Sequence, residues 1–244
     1  MGRLVTTTSL VVLVAVVLLA GAVQSSLGFG LGIVALPVLA VLAPESLPQS
    51  LILMILPSSA LVVLQERRGI RWESVGWILI GRTAGTAPGL LLLVLLSPRS
   101  LQLLFSVASL VALAVMARAR RGWVLSRRSQ VVGGVVSGLM GTATSLGGIP
   151  LALLYANQGS QEIRSVLATS LFLGNLVSLV GLVLAGRLSL VDVQLAVGLM
   201  TPMFVGMYLG SWMVRGIGQR GLTLLVYSVV TLGSLIGIQM SIFG

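Results

Sequence analysis

Long apolar runs separated by short polar clusters set the pattern of this chain. Leu4–Val23, Trp77–Leu96 and Leu222–Phe243 each continue for roughly 20 residues without an acidic side chain. At about 1.5 Å per helical residue, such a run covers about 30 Å of hydrocarbon. The runs are apolar on every face, whereas the strands of a membrane β-barrel alternate over about 10 residues. A backbone in lipid must satisfy its own hydrogen bonds, so the pattern predicts an all-α, polytopic membrane bundle.

Two stretches, Gln24–Ala43 and Val131–Ala156, interrupt their apolar residues with glycine, small polar side chains and a proline. If each enters the membrane and returns to the side it came from, seven crossings remain, at 4–23, 48–65, 74–96, 100–117, 163–185, 190–213 and 221–243. If both span, the count rises to nine. Arg3 ahead of Leu10–Ala20, with Ala20, Gly21 and Ala22 behind, has the outline of a signal peptide. Several further apolar segments follow it, so 4–23 is read as a retained helix.

Charge orders the bundle. Only 8% of the residues are charged, and every basic residue is arginine, giving a formal net charge of +10. The arginines flank the apolar runs, where cytoplasmic loops collect positive charge, so they signal topology and not a nucleic-acid partner. Arg3, the cluster Arg67, Arg68 and Arg71, the cluster Arg118, Arg120, Arg121, Arg127 and Arg128, then Arg164, Arg215 and Arg220 are expected on the cytoplasmic side. That places the N-terminus there too. Arg99 and Arg187 are expected outside, and Arg82 lies within the membrane. The chain has no cysteine and no histidine. Thiol chemistry and imidazole ligands are thereby removed, and neither a cofactor nor a metal is expected.

The chain also repeats itself. Gly28–Pro37 (GFGLGIVALP) aligns with Gly141–Pro150 (GTATSLGGIP), each a small-residue run from a glycine to a proline nine positions later. A hydrophobic helix, a short loop at Gly69-Ile70-Arg71 or Gly186-Arg187, and a helix with Gly85-xxx-Gly89 or Gly206-xxx-Gly210 follow in each half. With three crossings per unit, the second unit is upside down relative to the first, the pattern of secondary transporters. The expected organisation is one domain over 1–244, with repeats at about 4–97 and 100–214 and a closing helix at about 221–243. The Gly-xxx-Gly faces suit either a homodimer or packing inside one subunit.

The stretches SSLGFGLGIVALPVLAVLAP, VSGLMGTATSLGGIPLALLY and RSVLATSLFLGNLVSLVG resemble the sulfite exporter TauE/SafE family of bacterial membrane transporters, in order and spacing over nearly the whole chain. The resemblance implies a multi-pass permease of the bacterial inner membrane, built from two related halves, for sulfite, sulfonates such as sulfoacetate, and related small sulfur-containing anions. The first half departs from the family pattern. Pro48-Gln49-Ser50-Leu51 stands where the second half keeps Ala168-Thr169-Ser170-Leu171.

Candidate substrate-binding residues follow from the interruptions. Gly28, Gly30 and Gly32 allow close approach or positive φ, Pro37 withholds a donor, and Gln24, Ser25 and Ser26 supply polar groups just ahead. In the second half Thr142, Thr144 and Ser145 add hydroxyls beside Gly147, Gly148 and Pro150. N–H and O–H groups of this kind hold an oxyanion, and small residues serve close helix packing equally well. Arg82, about ten residues into its helix, is near ~15 Å deep. Its readings are an anion-facing charge, a structural bond to backbone or polar groups, or a helix register that brings it nearer the surface. Thr169, Ser170 and Asn175 are further candidates on one helix, for ligand contact or for bridging helices.

No carboxylate lies deep in a span, so a carboxylate proton relay is not expected. An inside-negative potential drives anion export without one. The reading from sequence is therefore a carrier for a small anion working by alternating access, not an enzyme. An anion-selective channel and a membrane-embedded assembly factor are its rivals.

Overall fold

The computed structural model describes residues 7–118 and 124–243. Within them the regular elements are α1 (Thr7–Leu27), α2 (Leu31–Leu42), α3 (Gln49–Glu66), α4 (Trp72–Leu95), α5 (Pro98–Arg118), α6 (Arg127–Thr144), α7 (Gly148–Leu154), α8 (Ser160–Leu184) and α9 (Leu190–Phe243). Two 3-10 turns lie at Pro44–Ser46 and Arg67–Gly69. Helix α9 is broken at Gly218, whose φ of 70° and ψ of 163° are not helical. Seven helices among the described residues are long and apolar enough to cross a membrane, within a few residues of the seven crossings expected.

Polar contacts fix which helix ends lie together. Arg71 meets Glu162 at 2.6 Å, Arg127 meets Glu73 at 3.0 Å and Arg164 meets Glu66 at 3.1 Å. The end of α3 and the starts of α4, α6 and α8 therefore share one end of the bundle, the arginine-rich end. At the opposite end Arg187 donates to the Leu93 carbonyl, Gln49 donates to the Arg187 carbonyl at 2.7 Å, and Arg99 donates to the carbonyls of Ser241 and Ile242.

Small residues then bring pairs of helices backbone to backbone. A Cβ built on Gly85 would lie 2.0 Å from the Val135 carbonyl oxygen, and one on Gly138 2.2 Å from that of Arg82. Helices α4 and α6 are thus in direct contact and run in the same direction. Gly206 is equally tight against the Leu18 carbonyl, and Gly210 against Ala22 and Ser25, so α1 runs alongside the first part of α9. Both Gly-xxx-Gly faces are used inside the chain, and a homodimer would need another surface.

These directions correct two expectations. Helix α1 begins at the Arg187 end and finishes at the arginine-rich end, where Arg164 donates to the Ser26 carbonyl at 3.2 Å. The start of α1 is therefore opposite Arg67, Arg68 and Arg71, not beside them. Arg3, Arg120 and Arg121 lie outside the described residues. Gln24–Ala43 is also not a returning segment by itself. Its first residues complete α1, and the turn comes at Gly28 (φ 80°) and Gly30 (φ 139°), after which α2 runs back with Pro37 and Val41 along the second part of α9. Ser25 and Ser26 do not end the helix because both hydroxyls donate back to the Ala22 carbonyl, at 3.0 and 2.9 Å.

The second interruption behaves as expected. Helix α6 rises from the arginine-rich end, turns at Ser145–Gly147, and α7 descends until Tyr155 hydroxyl accepts from Gln130 at 3.2 Å. Each interruption thus caps a helical hairpin, α1–α2 from one end and α6–α7 from the other.

Candidate functional site

The two hairpin tips meet. A Cβ on Gly32 would lie 2.4 Å from the Ser145 carbonyl oxygen, and one on Gly148 would lie 2.9 Å from Phe29 Cβ. Ser145 adopts φ 61°, the left-handed conformation that closes the α6 end, and its hydroxyl donates to the Pro48 carbonyl at 3.3 Å. Gln24 holds the other tip, accepting from the Leu31 N–H at 3.1 Å at the start of α2. Between the tips lies a cavity of about 20 Å³ lined by Gln24, Gly30, Gly32, Ser145, Gly148 and Leu171, among others. That is room for about one water molecule, so this conformation is closed around the tips.

Arg82 sits behind the second tip and is fully buried. It donates to Ser137 Oγ at 2.6 Å and to Asn175 Oδ1 at 3.2 Å, and Ser137 in turn donates to the Gly147 carbonyl at 2.6 Å. The guanidinium is therefore tied through one hydroxyl to the α6–α7 turn. Both acceptors are neutral, and no described ion pair includes Arg82. A buried cation without a carboxylate is costly unless an anion or a polar cage compensates it. Beside it Thr142 and Ser178 share a hydrogen bond of 2.7 Å, and Thr142 also reaches Thr86 at 3.4 Å. Asn175 Nδ2 and Ser170 Oγ are buried with no hydrogen-bond partner among the described residues.

The structure thus gathers Gly30 and Gly32 with Ser145 and Gly148 at the tips, and Arg82, Thr142 and Asn175, with Gly147 beside the guanidinium, in a polar cluster behind one of them. Gly28 packs on Arg164. Ser26, Thr144 and Thr169 donate within their own helices. Pro37 and Pro150 are not brought to the cavity. Pro37 packs on Gly233, and Pro150 faces an apolar groove with Val111 and Val136. Pro150 is the third residue of α7, where the first N–H groups have no partner inside the helix anyway, so it neither breaks α7 nor exposes a site. Sequence reading missed Ser137, Gly174, Thr86 and Phe29. Gly134-xxx-Gly138 was a legible signal that α6 packs closely, and Ser137 is its neighbour.

The family description "Sulfite exporter TauE/SafE" matches residues 13–240. The chain belongs to this family. No curated protein matches the chain. No solved structure matches it either. TauE/SafE membership makes it a multi-pass membrane transporter of the sulfite-exporter type, and a transporter family accords with the lack of a catalytic constellation in the sequence.

Proposed function

We propose that this TauE/SafE protein exports a small sulfur-containing oxyanion, sulfite or a sulfonate, by alternating access around the two hairpin tips. The observation that carries the reading is Arg82: a fully buried positive charge, bonded to neutral oxygens and linked through Ser137 to the turn of one hairpin. An oxyanion arriving between the tips gains from that charge in a medium of low dielectric constant. The N–H groups of Gly147 and Gly148, and the Ser145 hydroxyl once it leaves the Pro48 carbonyl, supply hydrogen bonds without a full ion pair. Ser170 and the Asn175 amide offer donors that this closed conformation leaves unused.

Alternating access is supported by the way the helices pair. Helix α4 runs with α6, and the first part of α9 runs with α1 in the opposite direction, which reads as two inverted units over 7–95 and 127–210. Helix α5 then joins the units instead of opening the second, and the last part of α9 closes the bundle. The arginine-rich end faces the cytoplasm of a bacterial cell in this reading, since arginine collects there. Both α1 and the closing segment then have their outer ends on the far side. Outward movement of one negative charge across a 100 mV inside-negative potential gains about 2.3 kcal/mol, so export needs no carboxylate relay.

The test is flux in proteoliposomes with sulfite, sulfoacetate, thiosulfate and sulfate, for wild type and folded Arg82→Gln. Saturable flux of one anion, lost in the variant, is the expected result. Flux that does not saturate would indicate a channel, and no flux above empty vesicles would end the anion assignment.

A further inference from the structure

Arg164 on α8 has no part in the cluster around Arg82, yet it stands where the first hairpin reaches the arginine-rich end. Its Nε lies 3.1 Å from Glu66 Oε1, with about a quarter of the arginine side chain (27%) and a fifth of the glutamate (19%) exposed. Its NH1 donates to the Ser26 carbonyl at 3.2 Å, one residue before the end of α1. Gly28, in the turn itself, is packed so that a Cβ would lie 3.4 Å from the Arg164 Cα and carbonyl oxygen. Arg164 thus links α8 to the ends of α3 and α1 through its guanidinium, and packs under the α1–α2 turn with its backbone. Next to it Arg71 pairs with Glu162 at 2.6 Å and Ser165 donates to the Gly69 carbonyl at 2.8 Å, joining the loop before α4 to the start of α8. Glu162 holds the Arg71 guanidinium above its ordinary pKa, chiefly through that hydrogen bond.

The opposite end is different. There a half-open cavity of about 310 Å³ lies between Pro44, Gln49, Pro98, Arg187 and Asp192. Ion pairs thus join the helices at the arginine-rich end, whereas the other end holds backbone-directed hydrogen bonds around this cavity.

From this we infer that Arg164 is an anion-binding site at the cytoplasmic mouth of the pathway, and that Glu66 occupies it in the closed state as a built-in substitute for the transported oxyanion. The inference rests on the carrier reading above for its direction, and on the ion pair alone for its chemistry. A carboxylate and a sulfonate compete for one guanidinium because each offers it anionic acceptor oxygens. When the oxyanion takes Glu66's place, the ion pair between the end of α3 and the start of α8 opens while the charge on Arg164 stays compensated. Binding and unlatching are then a single exchange, with no charge left bare.

The chain has no native cysteine, so a single Ser26→Cys reporter reads the latch by its reaction with a membrane-impermeant thiol reagent from the arginine-rich side. Sulfoacetate is the probe anion, because sulfite itself consumes thiol reagents. In the reporter protein sulfoacetate slows labelling, and Arg164→Gln abolishes that protection. Glu66→Gln removes the competitor, raising the unprotected labelling rate and lowering the half-protecting concentration, each by about two- to fivefold for a partly exposed pair. Labelling that is indifferent to sulfoacetate in both the reporter and its Glu66→Gln form would overturn the inference, as would protection that survives Arg164→Gln. Protection without anion flux in proteoliposomes would keep the site and remove the carrier reading, so the two fail separately.

Discussion

Gly174 on α8 leaves no room beside the guanidinium of Arg82: a Cβ built there would lie 1.8 Å from Nε and 2.5 Å from Cζ. The arginine cannot step aside, because it is fully buried and held by Ser137 and Asn175. Gly174→Ala is therefore expected to destabilise the protein by about 1–3 kcal/mol through overpacking. Thermal unfolding of purified protein in detergent measures this, and an unchanged midpoint would show that the cage is looser than its geometry.

Charge and shape at Arg82 are separable. Lysine keeps the charge but places it on one point, and it cannot bridge Ser137 and Asn175 as the guanidinium does. Arg82→Lys is expected to lose about 1–3 kcal/mol of stability from the polar group left without a partner. Its anion flux is expected to fall between those of wild type and Arg82→Gln. Wild-type flux in Arg82→Lys would mean that charge alone matters, and that the link to the Gly147 turn does not.

Two glycines on α4 make a matched comparison. A Cβ on Gly85 would lie 2.0 Å from the Val135 carbonyl oxygen, whereas one on Gly76 meets nothing within 4 Å. Gly85→Ala has to push α6 away from α4 and is expected to lower the unfolding temperature clearly. Gly76→Ala is expected to change stability by no more than about 1 kcal/mol, in the stabilising direction that helix propensity gives. Equal effects at both positions would contradict the close α4–α6 contact.

Topology is testable in the same cysteine-free background. Ser9→Cys and Phe243→Cys are expected to react with an impermeant reagent from one side of the membrane, and Arg128→Cys from the other. Reaction of Ser9→Cys from the Arg128 side would restore the orientation that the charge pattern alone suggested.

That last point marks where the sequence misled. The seven spans were legible because each needs only length and uniform apolarity, properties of a segment by itself. The direction of α1 was not, because Gln24, Ser25 and Ser26 look like a loop in the sequence. Within the helix they are satisfied instead by the Ala22 carbonyl and the Leu31 N–H. The actual turn waits for the positive φ values at Gly28 and Gly30. The second hairpin was easier to read, since Arg127 and Arg128 before it and Arg164 after it mark a single side.

The candidate site divides in the same way. Arg82 was visible from sequence because a charge in an apolar run is conspicuous, and the two glycine–proline motifs were visible because they repeat. Which partners the arginine takes was decided by α4, α6 and α8 coming together. Ser137 and Gly174 lie 55 and 92 positions away and carry no mark of their own in the sequence. Apolarity, helix length and the places where helices break were thus determined along the chain, where each residue acts on its near neighbours. The meeting of the tips and the neutral cage around Arg82 were decided only in the packed bundle, because close approach at a glycine and the partners that a buried donor finds depend on what the opposite helix presents.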